Sequence, residues 1–135
     1  LAAEMLGSAL EAFERTLAYL KMREQFGVPI GSFQALKHRA AIMFCELELT
    51  RSAVRAALAA LDAGSSEAAL LACLAKAKAC DTFELVSSEA VQLHGGIGMT
   101  DAAEIGFFLK RARVAQQLLG DAGFQRERYA SLRGF

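Results

Sequence analysis

The sequence is poor in nearly everything that breaks or avoids a helix. Pro29 is the only proline among 135 residues, and Trp is absent. Val, Ile and Thr are scarce, while Ala, the strongest helix former, fills a fifth of the positions. A sheet would have little to build from, so composition by itself favours an α fold. Net charge is lacking too, because fifteen basic and fifteen acidic side chains cancel. No overall field draws such a chain to nucleic acid or to an anionic membrane. The longest apolar stretch, residues 68–75, ends at Lys76 and is far too short to span a bilayer. No signal peptide precedes Leu1, and the missing initiator Met points to a fragment or a processed chain. Cys45, Cys73 and Cys80 have no metal-type spacing, so no metal site is expected. An odd number of thiols inside helical stretches reads as reduced core cysteines in a cytoplasmic protein.

What is present is periodicity. Leu6, Leu10, Phe13, Leu17 and Leu20 step by three and four, which predicts a helix over residues 1–25. Gly27 and Pro29 end it. Ser32 is placed to cap a second helix running to residue 63, with Leu36, Met43, Leu47, Val54, Leu58 and Leu61 on one side. Ser66 is the expected cap of a third, to residue 94. That helix is apolar on two faces, the mark of one buried between neighbours. Thr100 is expected to cap a fourth to residue 118, and a short fifth spans residues 121–132. No strand signal appears. The fold class is therefore all-α: an antiparallel up-and-down bundle of four long helices plus a short C-terminal helix. Phe107, Phe108, Leu118, Leu119, Phe124 and Phe135 add more apolar surface than such a bundle covers, which implies a further domain or subunit.

Two loops carry chemistry. In the first, Arg23 and Gln25 stand beside Phe26 at a helix end, and Phe33-Gln34 follows. In the second, Gln92-Leu93-His94-Gly95-Gly96 strips side chains from a helix terminus and leaves backbone N–H groups open. A fixed cation with bare backbone suits a phosphate or pyrophosphate. Each alone also has an ordinary reading, a solvated Arg and a glycine helix stop. His38 and His94 have no partner at ligand spacing. The arginines from Arg111 to Arg133 read as solvated or interface-paired in a neutral chain.

Together the loops carry a resemblance. Tyr19-x-x-x-Arg23-x-x-Phe26-Gly27-x-Pro29-Ile30, Phe33-Gln34, Ala75-Lys76 and Gln92-x-His94-Gly95-Gly96-x-Gly98-x-Thr100 are similar to the C-terminal helical domain of the acyl-CoA dehydrogenase family, over nearly the whole chain. The resemblance implies a flavoprotein oxidoreductase acting on an acyl-CoA substrate with FAD. Residues 1–135 would be its C-terminal domain, and an N-terminal helical and a middle β-domain would lie outside this sequence. It also implies a homo- or hetero-oligomer, a dimer or tetramer, with FAD at a subunit interface and an electron-transfer acceptor. Arg23, Gln25 and Phe26 would contact the adenosine diphosphate portion of FAD. Gln92, Gly95 and Gly96 would cradle its pyrophosphate or adenine end. Gln34 is a further candidate, though a Gln at a helix start also serves as a cap.

The sequence departs from the family at one end. The family's usual base is the Glu of a Tyr-Glu-Gly-Thr segment, and Leu118-Leu119-Gly120-Asp121 stands in its place. Leu119 cannot accept a proton. Leu109-Lys110-Arg111-Ala112-Arg113 departs from a second family segment, and Gly123 replaces a residue that is often polar. Three explanations follow: a base upstream of Leu1, a base on a partner subunit, or a non-catalytic homologue. Glu4 lies too far along its helix to serve, and Asp121 reads as an N-cap. Acyl specificity and the choice between dehydrogenase and oxidase are left open.

Overall fold

The computed structural model describes residues 1–135 in full. Five helices form: α1 (Ala2–Met22), α2 (Gln34–Asp62), α3 (Ala68–His94), α4 (Ile105–Gln117) and α5 (Ala122–Arg133). α2 and α3 run antiparallel, as do α1 and α4. Arg39 pairs with Glu89 and Glu46 with Lys78 along α2 and α3, while Glu4 pairs with Arg111 and Arg15 with Glu104 along α1 and α4. The α1–α4 pairs are exposed and fix register more than they add stability, while the α2–α3 pairs are part-buried. No helix is long and apolar enough to cross a membrane.

The two-faced pattern of α3 has the expected consequence. It packs against the other four helices and buries fourteen of its 27 residues. Ala75, Ala79 and Ala90 of α3 share the core with Ala9 and Ala12 of α1, and such small side chains let helices approach closely. The largest fully buried side chains are Phe83, Met5, Met43 and Leu47. Polar side chains inside all find hydrogen-bond partners. Thr16 donates to the carbonyl of Ala12 (2.7 Å), and Thr50 and Thr82 share a hydroxyl contact of 2.7 Å. Cys73 and Cys80 are core residues, whereas Cys45 is exposed, contrary to its sequence reading.

The helix starts differ from expectation in three places. Ser32 does not cap α2; it closes a short 3₁₀ turn, Ile30–Ser32, and Phe33 precedes the helix. The turn is pressed onto α1 at Gly31, where a Cβ would come 2.9 Å from the carbonyl oxygen of Leu20. Ser66 does not cap α3 either; the turn is held by Ser65, whose hydroxyl accepts the Glu67 N–H at 3.2 Å. Thr100 donates back to the carbonyl of Ile97 (2.8 Å) instead of capping, so α4 begins only at Ile105. Asp121 alone behaves as read, accepting the Phe124 N–H at 2.8 Å. Asp121→Ala is expected to cost about 1 kcal/mol. Urea unfolding measures it, and an unchanged midpoint would remove the cap from the account.

One element has no counterpart in the sequence reading. α1 stops at Met22, and residues 23–30 form a minimal hairpin of β1 (Glu24–Gln25) and β2 (Val28–Pro29). Phe26 and Gly27 both have positive φ (55° and 77°), as a two-residue hairpin turn requires. A pair of two-residue strands is too short to leave a periodic signal.

Candidate cofactor site

The end of α1, the start of α2 and the end of α3 meet around an open cleft of about 570 Å³. The hairpin swings Arg23 and Gln25 onto one side. The terminus of α3 brings Gln92, Gly95 and Gly96 to the same cleft. Five of the seven candidate residues are thus gathered, from positions seventy residues apart. Phe26 and Gln34 do not line it. The Phe26 ring is almost fully exposed beside Phe33, edge to face at 6.1 Å, and Gln34 contacts His38 at 3.1 Å.

The electrostatics separate the two cations of the cleft. Arg39, which the sequence reading did not single out, is committed: its Nε donates to Glu89 at 2.5 Å. That hydrogen bond holds the Arg39 pKa above its already high ordinary value. Arg23 is exposed and has no carboxylate within ion-pairing distance. An unpaired guanidinium is free to meet an anion. Gly95 ends α3 with φ +64°, and a Cβ added at Gly95 or Gly96 would meet nothing within 4 Å. No side chain stands between this backbone and the cleft, as the sequence suggested. The Gly95 N–H is not open, however, because it closes the end of α3 by donating to the Gln92 carbonyl. Tyr19, the first residue of the Arg23 motif, also belongs to this cleft. Its ring stacks on His94 at 4.3 Å and 21° and forms part of the floor. The His94 Nδ1 lies 2.7 Å from the carbonyl of Ala90, so Nδ1 carries the proton that bridges them. Both contacts use α3 as a fixed base for the loop.

Gly98 has a different role from its neighbours. A Cβ there would lie 2.6 Å from the carbonyl oxygen of Val91 and 2.9 Å from the Cβ of His94. Gly98→Ala must push the loop off the helix end, at about 1–3 kcal/mol. Thermal unfolding tests this, and an unchanged Tm would mean that the loop moves freely.

The opposite end of the bundle holds a second cavity, of about 700 Å³ and largely apolar. Leu119 and Gly120 form part of its wall, and no Asp or Glu lines it. Leu119 has φ +62° and is 78% exposed. Asp121 is occupied as a cap. Glu4 is bonded to Arg111, which holds its carboxyl below the usual carboxylate range.

Comparison with known proteins identifies the family. Residues 1–131 match the family described as acyl-CoA dehydrogenase, C-terminal domain. The chain belongs to the acyl-CoA dehydrogenase family. It is 43% identical over 120 residues to acyl-CoA dehydrogenase IpdE2 of Mycolicibacterium smegmatis, covering 89% of this chain and 37% of that relative. Among solved structures it resembles the FAD complex of PigA (TM-score 0.92, 28% identity), covering 99% of this chain and 35% of that one. It likewise resembles the ChsE4-ChsE5 complex of Mycobacterium tuberculosis (TM-score 0.92, 26% identity), covering 98% of this chain and 36% of that one. The chain spans little more than a third of the acyl-CoA dehydrogenase relative and of these structures.

Proposed function

We propose that residues 1–135 act as the C-terminal domain of a longer FAD-dependent acyl-CoA dehydrogenase, closing the FAD site across a subunit interface. The observation that carries this reading is the unpaired Arg23 guanidinium in one cleft with Gly95 and Gly96, whose lack of side chains lets a ligand approach closely. Those groups fit the diphosphate of a dinucleotide. Gln25 and Gln92 supply polar contacts beside it, and Tyr19 and His94 supply a flat wall. FAD, when bound, supplies the hydride acceptor for the β-carbon of an acyl thioester. The chain's own part is to hold the dinucleotide end. Because the cleft is open, the 135 residues alone should not retain FAD, whereas the full-length protein should. Flavin absorbance after gel filtration tests both, followed by bleaching on addition of acyl-CoA. A full-length protein that takes up no flavin ends this reading.

A second reading is favoured by Leu119 and the carboxylate-free cavity: this subunit lacks the usual base and completes a heteromer. The structural likeness to a complex of two named components supports it. So do the exposed Ile42 and Leu49 on α2 and Phe107 on α4, which need a cover. Co-expression with a homologue carrying the Glu would then yield activity absent from either alone. Light scattering reports the assembly. Leu119→Ala should leave any dehydrogenation rate within about tenfold, since loss of a general base costs about 10²–10⁴-fold. A drop beyond that range in steady-state assays would restore a chemical role to this side chain.

A further inference from the structure

Lys76 is a buried cation with no carboxylate partner. Its side chain lies on the central helix α3, and the residue is 6% exposed. The ammonium instead takes backbone carbonyls: Ala115 at 3.2 Å, Gln116 at 3.4 Å and Gly120 at 3.0 Å, with the Cys80 Sγ at 2.9 Å. Ala115 and Gln116 belong to the last turn of α4, whose orphan carbonyls and negative dipole end suit a cation. Three N–H donors face four acceptors, so no proton is left for a ligand. Lys76 therefore organises the chain and does not bind substrate directly.

What it organises is the turn between α4 and α5. Gln125, also 6% exposed, holds the same turn from the other side, donating Nε2 to the Leu119 carbonyl at 2.5 Å. Between these clamps Leu119 (φ +62°) and Gly120 (φ +90°) are both left-handed. A leucine persists there only where its surroundings over-determine it. The N–H groups of Leu119 and Gly120 make no backbone hydrogen bond, and both residues line the apolar cavity. Free donors in an apolar wall are suited to an oxygen that gains negative charge.

We propose that Lys76 and Gln125 are positioning residues that fix this turn so that its free N–H groups polarise the thioester carbonyl of acyl-CoA. The inference rests on the acyl-CoA dehydrogenase reading. It accounts for an aliphatic residue at position 119, because the donor is the backbone and not the side chain. It also separates two jobs along α3, whose far end serves the FAD cleft.

The test uses the full-length, FAD-loaded protein and its Lys76→Met and Gln125→Met variants. The infrared carbonyl band of a bound acyl-CoA, isotope-labelled at the thioester carbon, is read alongside kcat and KM. In the parent the band should lie below its free frequency. In each variant it should return toward the free value. kcat should fall roughly a hundredfold with KM little changed, as misplaced groups cause, and FAD content should not change. A shifted band in the parent that stays in both variants, with kcat within twofold, overturns the positioning role alone. An unshifted band in the parent overturns this inference and leaves FAD uptake to judge the broader reading. Should Lys76→Met not fold, Gln125→Met decides by the same criteria.

Discussion

Arg23→Ala is expected to weaken FAD retention by the full-length protein tenfold to a hundredfold. Arg55→Ala, on the outer surface of α2, is expected to leave it unchanged. The size follows from a charge-assisted hydrogen bond to phosphate, worth about 1.5–3 kcal/mol once water is excluded. Arg23 qualifies because no carboxylate competes for it, whereas Arg39 in the same cleft is already held by Glu89. Arg55 likewise has no ion-pair partner but lies off the cleft, so it controls for the loss of a positive charge. Titration of apoprotein with FAD, followed by flavin fluorescence, gives both dissociation constants. Equal constants for the two variants would remove Arg23 from the cofactor site and leave the cleft without its principal anion ligand.

Phe83→Ala is expected to destabilise the fold by about 3–5 kcal/mol, the usual range for emptying a buried aromatic site. Phe83 is 1% exposed on the one helix that touches all the others. Small domains are stable by only about 5–15 kcal/mol, so much of the total is at stake. Phe107→Ala, at a side chain 54% exposed, should change stability by no more than about 0.5 kcal/mol. Urea unfolding of both variants reads the difference. A loss below about 1.5 kcal/mol for Phe83→Ala would mean that α3 is not the centre of the core.

The contrast between these phenylalanines shows how far periodicity reaches. The two-sided apolar pattern of α3 marked it as a buried helix, and the surplus around Phe107 and Leu118 marked surface left uncovered. Caps were less legible. Ser32, Ser66 and Thr100 each have the right side chain just ahead of a helical pattern, yet none caps. At each site the loop bonded to itself or docked on another helix first. Leu58 and Leu61 continue the apolar stripe of α2 in sequence but remain exposed beside the large cavity. A stripe cannot say whether something stands opposite it.

By itself the sequence determined the all-helical class, the antiparallel order of the bundle and the two loops that carry the family resemblance. Those properties are local: helix propensity, a period near 3.6, glycine at a helix end, and motifs a few residues long. Only the tertiary structure decided which charges are spent and which are free. Arg23 and Arg39 look alike in sequence, but Glu89, fifty residues from Arg39, neutralises one and leaves the other open. Lys76 looked like the polar end of an apolar run. Its ammonium instead meets carbonyls about forty residues away and holds the turn containing Leu119. Desolvation and pairing depend on what folding brings within about 3 Å, and no spacing along the chain encodes that distance.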